Sequence, residues 1–178
     1  MKKVLVVVDY QNDFVDGSLG FLGSENIAGR IYELVSEYIG DKNPVVFTKD
    51  THYENYLQTR EGRFLPVKHC IKGTDGHRLY GELQPFEETI SPGVVVLEKE
   101  TFGSDRLCET IEEFFSDEPD IIEFCGVVTN ICVISNVVLC QTHFKNAKII
   151  VHEDATAAVG NMQTHAIEVL KGLGVEIV

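Results

Sequence analysis

Four short apolar runs in the sequence are each followed by a residue type that could take part in catalysis or metal binding. Asp9 follows the first run, Asp50 and His52 follow the second, Lys99 follows the third, and Cys132 lies shortly after the fourth. If the runs are parallel strands of one sheet, their carboxyl ends meet at the edge where α/β proteins bind ligands. We therefore expect an acid, a pair of metal ligands, a lysine and a thiol to meet at that edge.

Cys132 is the cysteine whose position best suits a nucleophile. The apolar pattern of residues 130–144 predicts a helix, with Thr129 or Asn130 as its N-cap. Free backbone N–H groups and the helix dipole near that start would favour the thiolate form of Cys132. Its position, more than its residue type, makes Cys132 the candidate nucleophile.

The remaining cysteines lack such a position. Cys108, Cys125 and Cys140 fall within predicted helices or at a strand end, where free cysteine is commonly a core side chain. Cys70 stands beside His69 in an irregular stretch, and its role stays open. Five cysteines, with no C-x-x-C pair, suit reduced thiols in the cytoplasm better than a disulfide framework.

Asp9 and Lys99 could activate the thiol of Cys132. Asp9 follows five apolar residues, so burial should raise the pKa of its carboxyl towards that of a useful general base. The carboxylate could accept the thiol proton while the lysine ammonium stabilises the thiolate, which then attacks a carbonyl carbon. The alternative is that Asp9 and Lys99 form a purely structural ion pair.

A second group of side chains has the composition of a metal site. Asp50, His52 and His69 offer one carboxylate and two imidazoles, with Glu61 as a fourth ligand in reserve. Such a set suits Zn²⁺, Mn²⁺ or Fe²⁺ with open coordination positions. The D-x-H spacing is by itself a weak signal, and the alternative is a hydrogen-bonded cluster that holds no metal.

The composition narrows the classes of partner. The chain has 178 residues and a formal net charge of −13, with no basic stretch that could neutralise phosphates. This charge argues against nucleic acid and against an anionic membrane surface as partners. No apolar run approaches the ~20 residues of a membrane span, so we expect a cytoplasmic protein of one domain.

Strand and helix patterns alternate along the chain. Near-continuous apolar runs predict strands that are covered on both faces, at 4–8, 45–48, 94–98, 121–125, 148–152 and 175–178. Helical periodicity predicts helices between most of them, at 27–39, 106–115, 130–144 and 165–174. This order predicts an α/β fold with three α/β/α layers and a mostly parallel, six-stranded, Rossmann-like sheet. Residues 50–93 show no sustained period, and an irregular connection of that length is usually functional.

Three segments together resemble a known family. The sequence DYQNDF at 9–14, the lysine that follows the third strand, and GVVTNICV at 126–133 are similar to the signatures of isochorismatase-like cysteine hydrolases. The segments at 50–52 and 65–76 resemble the metal segment of the nicotinamidase branch. The resemblance covers almost the whole chain, and it implies one isochorismatase-like domain spanning residues 1–178.

The resemblance also implies roles for particular residues. It implies a catalytic triad of Asp9, Lys99 and Cys132, a cis peptide between Val127 and Val128, and an oxyanion hole made by the backbone N–H groups of Val128 and Cys132. Phe14 would pack against the substrate ring. The ligands of a divalent metal, zinc with manganese or iron as alternatives, would be Asp50, His52 and His69, with Glu61 as a candidate fourth ligand.

The activity implied by the resemblance is hydrolysis of a small amide. We expect nicotinamide to be converted to nicotinate and ammonia through a thioester on Cys132, in NAD salvage, by a homo-oligomer. Within the family, the alternatives are a carbamoyl or ureido amide, or isochorismate. From other classes, the alternatives are a non-catalytic metal-binding module and a nucleotide-binding module, although the first strand leads into DYQNDF rather than the glycine-rich turn that phosphates need.

Overall fold

The structure is a computed structural model that describes residues 1–89 and 91–178. Its centre is one sheet of six parallel strands in the order β3-β2-β1-β4-β5-β6. The strands are β1 (Lys3–Val8), β2 (Val45–Asp50), β3 (Val94–Lys99), β4 (Ile121–Val127), β5 (Lys148–Ala157) and β6 (Glu176–Ile177). All six lie where the apolar runs predicted them, so the predicted parallel sheet is confirmed.

Helices cover both faces of the sheet. They are α1 (Asn12–Val15), α2 (Ala28–Gly40), α3 (Arg60–Phe64), α4 (Pro85–Glu88), α5 (Leu107–Glu112), α6 (Ile134–His143) and α7 (Met162–Gly172). Alternate side chains of β1 point into two separate cores, because successive residues of a strand face opposite sides. Val4 and Val6 pack with the α5–α6–α7 side, whereas Leu5 and Val7 pack with the α2 side. The three-layer α/β/α architecture is therefore confirmed.

The register of the sheet brings the carboxyl ends of the central strands together. Val8, the last residue of β1, lies opposite Thr48 of β2 on one side and Gly126 of β4 on the other. Asp50 of β2 lies opposite Lys99 of β3. The residues that follow these positions therefore share one edge of the sheet.

The irregular stretch between β2 and β3 is more ordered than the sequence predicted. It contains α3 and α4 together with three 3₁₀ turns, at Tyr56–Gln58, Asp75–His77 and Gly81–Leu83. None exceeds five residues, which is too short to produce a detectable helical period.

The predicted helix at 130–144 differs from the structure at its start. Residues Thr129–Val133 form a π-helical turn, and the α-helix α6 begins only at Ile134. Val128, rather than Thr129 or Asn130, is the residue at the N-cap position, and no side chain caps the turn. Cys132 thus lies within a widened turn, which is a common feature of functional sites.

Within the described residues, no helix combines the length and the apolar character that crossing a membrane requires.

Candidate active site

Asp9 lies directly after β1 in a backbone conformation that few residues adopt. Its φ is 48°, in the left-handed region, and its N–H donates to the carbonyl of Thr48 at 3.1 Å. The hydroxyl of Thr48 donates to Asp9 Oδ1 at 2.7 Å, and the Asp9 side chain is fully buried. Such strain of about 1–3 kcal/mol persists only where surrounding structure maintains it, and it occurs often at active sites.

Lys99, the last residue of β3, connects the acid to the thiol. Its Nζ lies 2.6 Å from Asp9 Oδ2, 3.5 Å from Asp50 Oδ1 and 3.9 Å from Cys132 Sγ. Burial is the largest single effect and acts to lower the pKa of Lys99, but Asp9, Cys132 and Asp50 together outweigh it and raise the pKa above its usual range. Lys99 is therefore an ammonium ion.

Burial determines the protonation of Asp9 and Cys132. It raises the pKa of the Asp9 carboxyl, as the sequence predicted, against the opposing effect of Lys99. It also raises the pKa of the Cys132 thiol well above its usual value, and Lys99 only partly offsets this. The expectation that the turn would favour a resting thiolate was wrong, because desolvation of a nearly inaccessible sulfur exceeds the effect of the ammonium. Cys132 therefore rests as a thiol, which would have to lose its proton to a base before it could act as a nucleophile.

The segment before Cys132 depends on a glycine. Gly126 has a φ of 106°, and a Cβ atom at this position would lie 2.1 Å from the carbonyl oxygen of Val8. The peptide bond between Val127 and Val128 is cis. Among the described residues, no group outside the regular elements accepts a hydrogen bond from the backbone N–H of Val128 or Cys132.

A small apolar pocket opens beside the thiol. Its volume is about 260 Å³, and its lining includes Val128, Cys132 and Phe14. Much of the remaining wall is apolar and comes from five separate segments, with side chains of Leu19, Phe21, Leu65, Phe102, Ile131, Val159 and Met162. Asp50, Glu61 and His69 lie at one side of the pocket. A ligand in this pocket would therefore contact both the thiol and the acidic residues and histidines.

Those acidic residues and histidines form one cluster, made of Asp50, His52, Glu61 and His69. One ligand atom from each lies within 4.8 Å of all the others. Nε2 of His52 is 3.0 Å from Asp50 Oδ2 and 3.4 Å from Glu61 Oε1, and Nε2 of His69 is 3.2 Å from the same oxygen of Asp50. Ligands about 2.1 Å from a metal ion lie about 3–3.5 Å from one another, so the four side chains fit a divalent cation.

The orientation of His69 supports this fit. Its Nδ1 lies 2.8 Å from the carbonyl oxygen of Val67, which can accept only if Nδ1 carries the proton. Nε2 then has a free lone pair that faces the cluster. Metal-binding histidines are commonly held by this type of hydrogen bond.

Comparison with known proteins identifies the family. A family model described as "Isochorismatase domain" matches residues 3–178. The chain belongs to the isochorismatase family.

Three similar proteins cover nearly the whole chain, and two of them are named nicotinamidases. An uncharacterized isochorismatase family protein of Bacillus subtilis is 35% identical over 93% of this chain and 91% of its own length. A nicotinamidase/pyrazinamidase of Mycobacterium tuberculosis is 27% identical over 99% of this chain and 98% of its own length. The crystal structure of a nicotinamidase from Bacillus subtilis superposes with a TM-score of 0.88 and 28% identity, over 100% of this chain and 99% of that one.

Three polar residues near this isochorismatase-family site were not singled out from the sequence. Thr48 holds Asp9, as described above. Gln11 bonds the backbone of Asp50 twice, donating to its carbonyl at 2.9 Å and accepting from its N–H at 2.8 Å. Asp13 accepts from the N–H of Cys70 at 2.7 Å and so holds the loop that carries His69. Gln11 and Asp13 belong to the DYQNDF segment, so the resemblance of that segment to the family signature could have pointed to both residues.

Asn136 is a further residue that no sequence pattern singled out. It is fully buried on α6, and its amide donates to the carbonyls of Cys132 at 2.8 Å and Phe102 at 3.2 Å. Its oxygen accepts from the N–H of Ser104 at 2.9 Å. Asn136 therefore joins the turn of the nucleophile to the segment that follows Lys99.

The other four cysteines are buried and reduced. Cys125, on β4, lies in the core on the α2 side, and burial raises the pKa of its thiol. Cys70 lies in the same core, and burial likewise raises the pKa of its thiol. Cys108 and Cys140 lie together in the opposite core. Of the five thiols, only Cys132 contacts Lys99.

Proposed function

We propose that this chain is a cysteine amidohydrolase that converts nicotinamide to nicotinate and ammonia. The observation that carries the proposal is the placement of Cys132 Sγ 3.9 Å from the ammonium of Lys99, which is itself 2.6 Å from Asp9, at the wall of an apolar pocket. Relatives named nicotinamidase match this chain over nearly its whole length. Both lines of support point to a small amide.

The triad can carry out both halves of such a hydrolysis. Asp9, whose pKa is raised by burial, accepts the proton of Cys132, and the thiolate attacks the amide carbon. The backbone N–H groups of Val128 and Cys132 would donate to the oxyanion that develops. The Asp9 proton then leaves with ammonia, and a thioester remains on Cys132. Water attacks the thioester with Asp9 as base, the C–S bond breaks, and the proton on Asp9 returns to the sulfur of Cys132. Nicotinic acid is released and ionises to nicotinate.

We propose that Asp50, His52 and His69, with Glu61, hold a divalent cation, zinc first and manganese or iron as alternatives. A bound cation of this type supplies a Lewis acid that can hold the ring nitrogen of the substrate. Phe14 would contact the apolar side of the substrate ring, since the centroid of the Phe14 ring lies 5.5 Å from that of His69. Held in this way, the cation and Phe14 would together place the carboxamide on the side of the pocket where Cys132 lies.

The composition of the pocket favours an aromatic amide over the alternatives. A carbamoyl or ureido substrate, or isochorismate with its carboxylates, would leave polar groups against side chains such as Phe21, Phe102 and Met162 without partners. Ammonia release measured across nicotinamide, ureido and carbamoyl compounds, with isochorismate assayed separately, compares these substrates directly. Absence of nicotinamide turnover at millimolar concentration would refute the substrate proposal.

Replacement of the nucleophile tests the mechanism and the non-enzymatic alternatives. We expect Cys132→Ala to abolish ammonia release, because no other thiol contacts Lys99. Cys125→Ala is the matched control, since Cys125 is equally buried but lies in the other core. If Cys132→Ala kept the wild-type rate, the cysteine mechanism would be wrong, and a metal-binding or nucleotide-binding module would again be a candidate.

We further propose that residues 1–178 act as one catalytic domain in a cytoplasmic homo-oligomer that serves NAD salvage. The five reduced cysteines support the compartment. Sedimentation of the purified chain tests the oligomeric state, and a single monomeric species would refute that part of the proposal.

A further inference from the structure

A pair of thiols lies apart from the candidate active site, between two neighbouring helices. Cys108 on α5 and Cys140 on α6 have their Sγ atoms 4.0 Å apart, close enough for one thiol to donate a weak hydrogen bond to the other. They are separated by 32 positions in the sequence, so the contact is created by the packing of the two helices. The chemistry of the triad uses neither residue.

The two thiols differ in access to solvent. Cys140 is completely buried, whereas Cys108 retains 8% of its surface. The next turn of each helix carries His143 and Glu112, which form an exposed pair at 2.7 Å beside a cavity of about 280 Å³. The two thiols therefore lie one helical turn from an exposed pair of side chains, and Cys108 is the one with some access to solvent.

The surroundings make Cys108 the more reactive of the two. The hydrogen bond with Cys140 lowers the pKa of the Cys108 thiol, burial opposes it, and a positive charge on His143 also lowers it. The pKa of Cys140 is raised. Cys108 is also the more exposed of the two thiols, so we expect it to meet an oxidant first, as the thiolate that reacts.

We propose that Cys108 and Cys140 are a redox modification site at which hydrogen peroxide forms an intramolecular disulfide. The Cys108 thiolate attacks one peroxide oxygen, the O–O bond breaks, and the released hydroxide takes up a proton as water. The sulfur of Cys140 then attacks the sulfenic acid sulfur of Cys108, the S–O bond breaks, and the hydroxide leaves with the Cys140 proton as a second water. Two thiols lose two electrons and two protons, and one peroxide becomes two waters.

Disulfide formation requires the two sulfurs to approach from 4.0 Å to about 2.05 Å. Cys125 and Cys70 lie in the core on the other face of the sheet. They serve as internal controls for non-specific oxidation.

The test is peptide mapping by mass spectrometry after exposure of the folded wild-type chain to hydrogen peroxide. We expect a linked peptide containing Cys108 and Cys140, about 2 Da lighter than the two free peptides together, which dithiothreitol separates again. Cys125 and Cys70 should stay reduced. Oxidation of Cys132, in the candidate active site, is measured separately, because it is independent of a disulfide between Cys108 and Cys140.

Two variants test the order of the steps. In Cys140→Ser, dimedone should trap a sulfenic acid at Cys108, whereas in Cys108→Ser the buried Cys140 should remain a thiol. Wild-type mapping does not depend on the folding of either variant. If both thiols of the wild-type chain stayed free, or if Cys108 were oxidised to a sulfinic acid with no link to Cys140, the proposal would be overturned.

Discussion

Replacement of Asn136 by Leu should separate the positioning of the active site from its chemistry. Leu has a similar shape but can neither donate nor accept a hydrogen bond. The substitution would leave the carbonyls of Cys132 and Phe102 and the N–H of Ser104 without the partner that Asn136 gives them. Because these groups are in or near the core, each loss costs on the order of 1 kcal/mol, and we expect the free energy of unfolding to fall by about 3 kcal/mol in total.

The catalytic effect should be larger than this loss of stability suggests. Asn136 holds the segment after Lys99, and Lys99 Nζ donates to the carbonyl of Thr101 in that segment at 3.0 Å. A shift of that segment would move the ammonium relative to Cys132. A misplacement of about 1 Å can reduce a rate about 100-fold, so we expect kcat to fall by about that factor with little change in KM.

Urea unfolding and ammonia release from nicotinamide measure the two effects. Gln141→Leu is the matched control, because Gln141 lies on the same helix and donates a single hydrogen bond to the Leu173 carbonyl at 2.7 Å, away from Lys99. The control should keep the wild-type kcat. If Asn136→Leu were folded and its kcat lay within twofold of the wild type, the positioning argument would be refuted.

Three further outcomes follow from the structure. Removal of divalent metal by a chelator, or His69→Ala, should abolish nicotinamide hydrolysis, with metal content followed by elemental analysis; full activity of metal-free protein would contradict the assignment of the cluster. Thr48→Val should lower the free energy of unfolding by about 1.5–3 kcal/mol in a urea titration, because it removes a buried hydrogen bond to the carboxyl of Asp9; a change below 0.5 kcal/mol, by the same order-of-magnitude reasoning, would refute this. The pKa of Glu123 is held below its usual value, because burial, which raises it, is outweighed by the hydrogen bond from His152 at 2.5 Å together with the effects of Tyr38 and Lys3. The ionised Glu123 carboxylate therefore contributes fully to stability above the pKa of the unfolded chain, and this contribution is lost as the pH falls through the pKa of the folded chain. The difference in free energy of unfolding between wild type and Glu123→Gln should accordingly be smaller below about pH 4 than at pH 7. A difference that does not depend on pH would contradict this.

The fold was predictable because each apolar run in the sequence corresponds to one strand of the sheet. Strands buried on both faces, such as β1 and β4, need continuous apolar residues, and the alternation with helices then allows essentially one type of parallel sheet. The boundaries of α5 and α6 were less predictable. The π turn at Thr129–Val133 contains the same apolar residues as a regular helix, so composition does not distinguish the two.

The sequence by itself determined which residue types follow each strand, and therefore which side chains meet at the carboxyl edge of the sheet. The tertiary structure decided their protonation, because the pKa of Cys132 and that of Asp9 depend on burial by segments far away in the chain. It also decided which polar side chains hold the site, since Asn136 acquires its role only when α6 packs against the segment after Lys99. Residue order along a strand is a local property, whereas desolvation and hydrogen bonding between distant segments arise only in the folded chain.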